Sequence, residues 1–174
     1  YYIYLISSLP MLHFGAKPPF SYERFLKACT GLIAEKDLAF LERLAQLDSS
    51  SEIMAQNEIS PLYLEFDRML RNELVKVRSQ RKHLDPAKYL RGEGYTDLAI
   101  IHLVQNVIRN PSILEAENIL DAARWEFLDE LTAGHYFQLE FLIVYAYKLL
   151  LLERWERIRA ADQPRLLEEA LTVN

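Results

Sequence analysis

Four histidines, one cysteine and a scatter of carboxylates are the residues of this chain whose chemistry would bear on catalysis or metal binding. His13, His83, His102 and His135 lie far apart, and no H-E-x-x-H or E-x-x-H spacing puts two ligands on one helix face. Each reads as a surface or half-buried polar residue. Cys29 sits in FLKACTGLI with no histidine near it, the setting of a buried structural thiol and not of a nucleophile. Glu115, Glu117 and Asp121 stand early on a helix opened by Pro111, where negative charge meets the helix dipole favourably. Glu117, Asp121 and Arg124 also have the i, i+4, i+7 spacing to pair along one face. An acid–base pair would need a second carboxylate cluster, which the sequence does not offer. Gly92-Glu93-Gly94 follows no predicted strand, and neither a G-x-x-x-x-G-K-[ST] loop nor a G-x-S-x-G elbow occurs. No catalytic, cofactor-binding or metal-ligating residue is assigned. The chain is expected not to be an enzyme and to use no cofactor.

Charge gives a different lead. Lys76, Arg78, Arg81, Lys82, Lys88 and Arg91 form a local cationic excess with only Asp85 against them in that span. A basic helix end can grip phosphates, yet the whole chain stands at net −5 and carries no recognised nucleic-acid motif. A solvated helix face is the first reading, an acidic protein partner the second, and nucleic acid the third. Trp125, Phe127, Tyr136, Phe137, Phe141, Tyr145, Tyr147 and Trp155 fall on consecutive predicted helices. Core packing is their default role, and aromatics at the edge of such a core are common interface anchors.

The elements that would position these residues follow from composition and periodicity. With 174 residues, 51% hydrophobic and 26% charged, the chain has the make-up of a folded globular domain. Five glycines and seven prolines are too few for the turns of an all-β fold, and a single cysteine gives no sign of an oxidising compartment. The opening YYIYLISSLPML lacks a basic start and a small-residue cleavage site, and Pro10 breaks it. It reads as the first structural element of a cytoplasmic protein. LEFLIVYAYKLLLLERW, residues 139–155, is apolar on almost every side but is interrupted by Glu140 and Lys148. A membrane span needs roughly 18 or more apolar residues, so this run reads as a buried core helix or a docking face.

Ser21 is placed as the cap of a helix over Tyr22–Ile33, weakened near its end by Gly31, and a further helix covers Glu35–Leu47. Asp48 and Ser49–Ser51 make a polar connection. Ser60-Pro61 opens a helix to about His83, with a stripe of Leu62, Phe66, Met69, Leu70, Leu74 and Val77. Asp85-Pro86 starts a short helix to Leu90, the loop RGEGY follows, and Thr96 caps a helix through Arg109. Asn110-Pro111 opens a helix from Ser112 to about Leu131, ended by Thr132-Ala133-Gly134. The apolar helix runs from about Tyr136 to Arg159, and Pro164 starts a last short amphipathic helix. No segment alternates with period two. The expected fold is all-α, a multi-helix bundle of capped amphipathic helices around a buried C-terminal helix. It is expected to form one domain over 1–174, within which a two-part organisation, 1–60 and 61–174, is allowed.

Three blocks carry a family likeness: YYIYLISSLPML (1–12), PSILEAENILDAARWEFLDEL (111–131) and HYFQLEFLIVYAYKLLLLERWERI (135–158). Together they resemble an uncharacterised bacterial family encoded among V-type ATPase subunits. They are also distantly similar to the C subunit of these rotary enzymes, the eukaryotic d subunit. The resemblance covers about half of the chain, and a C subunit is longer, with three similar helical domains. It implies a non-catalytic adapter seated between the central shaft and the membrane ring, with those two as partners and contact with the membrane only through them. Protein contacts are then expected at Lys76, Arg78, Arg81 and Lys82 and at Arg154 and Arg157, with nucleic acid not expected. A helical nucleic-acid-binding module using the basic stretch 76–91 is the alternative.

Overall fold

A computed structural model describes residues 2–46, 57–92 and 95–172, with side chains described through residue 165. The described residues form seven α-helices and one 3₁₀ turn, with no strand among them. The chain is all-helical. The polar connection expected at residues 48–51 and part of the RGEGY loop lie outside the described residues. Two compact units result, one made of residues 1–50 with 131–174 and the other of 51–130. This grouping crosses the 60/61 line considered from sequence, because the first unit gathers both ends of the chain and the second is the stretch between them.

In the first unit, α1 (Ile3–Ser8), α2 (Tyr22–Cys29) and α3 (Glu35–Leu44) accompany the long helix α7 (Leu139–Thr172). Residues 142–147 of α7 are buried without interruption, and Leu149, Leu151, Leu152 and Trp155 extend that core. A helix apolar on all faces is driven to be covered on all faces. Ser21 caps α2 as its sequence indicates, its Oγ accepting from Arg24 N at 3.2 Å. The same helix start receives a second cap from far along the chain: Tyr22 N donates to Glu153 Oε1 at 2.7 Å. α2 stops at Cys29, earlier than Ile33, because Gly31 adopts φ +76° and turns the chain out of the helix.

The opening segment is fastened to the start of α7 and to α3. Tyr2 N donates to Phe137 O at 2.7 Å, the Tyr2 hydroxyl to Asp37, and the Tyr145 hydroxyl to Pro10 O at 2.8 Å. Tyr145 is also the hub of an aromatic group, with ring centroids 5.3 Å from Phe25 and 6.4 Å from both Phe20 and Phe141.

The second unit contains α4 (Ile59–Arg81), a 3₁₀ turn at Pro86–Lys88, α5 (Leu98–Ile108) and most of α6 (Ile113–Thr132). Leu70, Leu74, Ile100, Val104, Val107 and Leu120 form its buried core. The start of α4 lies beside the start of α5, and Arg81 Nη2 reaches Ile108 O at 3.4 Å at the other end, so the two helices run parallel. α6 runs back against them, since Leu120 packs with Leu70 and Leu74 while Phe127 stacks on Phe66. The return stretch between α4 and α5 is pinned by Asn72, which is buried inside α4. Its Nδ2 donates to Arg91 O at 2.8 Å and its Oδ1 accepts from Arg91 N at 3.0 Å.

Three further helix boundaries differ from the sequence expectation. Ser60 is not the cap of α4; it is fully buried within the first turn, and its N–H is received by Asn57 Oδ1 at 2.7 Å. Burial of Ile59 draws the helix start back, and Pro61 still falls where a missing N–H costs nothing. Asp97, not Thr96, caps α5, accepting from Ala99 N at 2.8 Å. Pro164 does not start a new helix; it lies inside α7. The carbonyl it leaves without an N–H partner is that of Ala160, an exposed residue, and water can satisfy it there.

Candidate functional site

Side chains with chemical potential are spread over both units. His13, His83 and His102 are exposed, while His135 is half-buried with Nδ1 2.8 Å from Gln138 Oε1. Among the described residues, no group of three or more His, Cys, Asp or Glu could hold a metal ion. Cys29 is a fully buried free thiol whose burial pushes its pKa up to about 12, which removes thiolate at neutral pH. Asp121 and Arg124 do pair, but in the core of the second unit, where Arg124 also binds Asp67. They act as structural polar groups.

The cationic residues expected at protein contacts fall into two places. Arg78, Arg81 and Lys82 are exposed on the last turns of α4, beside Lys76, whose Nζ lies 3.2 Å from Glu73 Oε2. Arg81 in addition supplies a donor to the C-terminal carbonyl of α5, a site that favours positive charge. Arg154, half-buried, and Arg157, exposed, are one turn apart on α7 and belong to the other unit. The structure therefore brings Lys76, Arg78, Arg81 and Lys82 together on one helix end, and Arg154 and Arg157 together on another helix.

Two apolar features stand out beyond these charges. In the first unit, Tyr4 is 81% exposed, Met11 80% and Tyr136 67%, all on the segments that the Tyr2–Phe137 and Tyr145–Pro10 hydrogen bonds hold in place. Side chains of this kind facing water on a fixed backbone are typical of interaction surfaces. The sequence signal was the tyrosine-rich opening, but its exposure could not be read from composition.

In the second unit, a half-open groove of about 490 Å³ lies between α4, α5 and the C-terminal half of α6. Phe66 and Phe127 stack on one wall, their ring centroids 4.2 Å apart and their planes within 8°. Glu65, Asp97, Glu126 and Glu130 edge it, all of them exposed. Arg68 holds the Glu65 carboxyl below its ordinary pKa through a hydrogen bond of 2.8 Å from Nε. Sequence reasoning did not find this groove. Leu62, Phe66 and Met69 read as core stripe, and half of that stripe instead borders open space.

A family model described as "Protein of unknown function (DUF2764)" matches residues 95–164. The match takes in α5, α6 and the buried part of α7. No curated protein matches the chain, and no solved structure does. No described helix is long and apolar enough to cross a membrane.

Proposed function

We propose that this chain is a non-catalytic helical adapter working through protein–protein contacts, and that its assembly is a V-type ATPase or ATP synthase. In that role it stands between the central shaft and the membrane ring, on the cytoplasmic side, and meets the membrane only through its partners. The observation that carries the adapter reading is the high exposure of Tyr4, Met11 and Tyr136 on a backbone fastened to α7 and to the segment before it. Large exposed aromatic and thioether side chains on a rigid frame lose little entropy when covered, which favours their use as anchors. The likeness of blocks 1–12, 111–131 and 135–158 to the C subunit supports the choice of assembly. Lys76, Arg78, Arg81, Lys82, Arg154 and Arg157 would supply the charged rim of such contacts.

Pull-down of shaft and ring subunits with the full chain tests the reading. Retention of either is expected, with loss of at least about tenfold in affinity when Tyr4, Met11 and Tyr136 all become Ser. Failure of the unaltered chain to retain either subunit would count decisively against it.

Exposure of Arg78, Arg81 and Lys82 on one helix end favours a second reading, a nucleic-acid-binding module. It requires affinity that falls steeply with salt and disappears in the R78A/R81A/K82A variant. A gel shift at low salt with no retarded band would remove it.

A further inference from the structure

The walls of the groove in the second unit are Leu62, Phe66, Met69, Ile100, Leu103 and Phe127. Its polar lining is of one sign. Glu65, Asp97, Glu126 and Glu130 are its only charged members, and no Lys, Arg or His lines it. Two of the four carboxylates are already engaged, Glu65 by Arg68 and Asp97 by the N–H of Ala99. Glu126 and Glu130, one turn apart on α6, face solvent without an ion pair among the described residues.

We infer that this groove seats a cationic amphipathic helix of a partner protein, its apolar stripe on the Phe66–Phe127 wall and its Lys or Arg residues against Glu126 and Glu130. A groove between helices that is apolar inside and charged at the edge matches the way an apolar helix face is read at i, i+3, i+4 and i+7. A small molecule would need polar groups inside the groove to orient it, whereas every polar lining residue here is exposed at the rim. Nucleic acid and anionic lipid are repelled by Asp97, Glu126 and Glu130. The inference holds whichever assembly the chain serves.

The test uses the full chain, isotope-labelled for amide NMR, and a synthetic peptide of about 18 residues with Leu at helical i, i+3, i+4 spacing and Lys elsewhere. A second peptide carries Glu in place of Lys. The Lys peptide is expected to shift amide signals of the groove residues and to bind about tenfold more weakly to E126Q/E130Q, with less than about twofold loss for E23Q/E42Q, which removes equal charge from the first unit. Filling the groove with Ala123→Trp is expected to abolish binding while the far-ultraviolet circular dichroism stays that of the parent. Several results overturn the inference: equal binding of the Glu peptide, equal loss in the two Gln variants, signal changes away from the groove, or a folded A123W chain that binds like the parent. Sedimentation of the chain alone provides a further check. Concentration-dependent self-association that vanishes in E126Q/E130Q would assign the groove to a second copy and overturn the inference as well.

Discussion

Arg124 joins two carboxylates that the sequence keeps far apart: its Nε meets Asp67 at 2.8 Å and its Nη1 meets Asp121 at 2.7 Å. Asp121 is fully buried, and Arg71 reaches the other oxygen of Asp67 at 2.7 Å. Burial works to lower the pKa of the Arg124 guanidinium, but Asp67 and Asp121 outweigh it, and the net direction is upward. The cation is thus secured inside the second unit, where it ties α6 to α4.

Breaking this network from one side leaves a buried charge behind. R124M takes the cation away from the buried Asp121 and is expected to cost about 3–5 kcal/mol in urea unfolding. The double variant D121L/R124M should lose less than the two single losses added, with a coupling of about 1–3 kcal/mol. Simple additivity would mean that Asp121 and Arg124 do not stabilise one another.

Cys29 sets an alkaline limit. Its folded pKa, about 12, lies above the unfolded value of about 8.5, so its contribution is complete below the latter and is lost as pH rises toward the former. Unfolding free energy should fall above about pH 9, by at most about 1.4 kcal/mol per pH unit for this one proton. Burial also raises Tyr22 and Tyr145, which add to the loss at higher pH. Denaturant melts of C29V between about pH 9 and 10 should show a flatter decline than the parent. Identical slopes would place the thiol outside the effect.

At the end of α4, His83 occupies the left-handed region with φ +54°. His83 N donates to Gln80 O at 3.3 Å and Leu84 N to Ser79 O at 2.9 Å, the paired bonds of a Schellman ending. Glycine is the residue best suited to that backbone. His83→Gly should therefore raise stability by up to about 1 kcal/mol, read as a higher thermal midpoint.

Pro164 weakens the far end of α7. Pro164→Ala restores an N–H to the helix ladder and is expected to increase helical circular dichroism, with a gain of about 1–3 kcal/mol in local helix stability. Unchanged helicity would mean that the segment past the proline contributes nothing to the signal.

The elements written locally in the sequence were the legible ones. The 139–155 run specifies a buried helix because no face of it is polar enough to meet water, and Ser21, Asp85 and Gly134 mark ends through chemistry confined to a few residues. The Asp121–Arg124 pair was readable for the same reason, being one turn apart. Ser60 and Thr96 misled because a better acceptor, Asn57 or Asp97, stands within three residues, and burial of Ile59 decided the first case. The Arg124–Asp67 bond and the clasp of Asn72 on Arg91 span 57 and 19 residues and leave no periodic trace. The groove was hidden for a deeper reason. Its walls are apolar residues at core spacing, and only the parallel course of α4 and α5 decides which of them are covered.

The discontinuous make-up of the first unit separates the two units in time during synthesis. Asp67, Asp121 and Arg124 all precede α7 in the chain and emerge from the ribosome before it does, so the middle of the chain can settle with its own partners in hand. Phe25 must wait for Tyr145, 5.3 Å away in the finished protein, and Tyr22 for Glu153. Until then α1–α3 are oily, unfinished surface, and it is there that the nascent chain has most need of a chaperone.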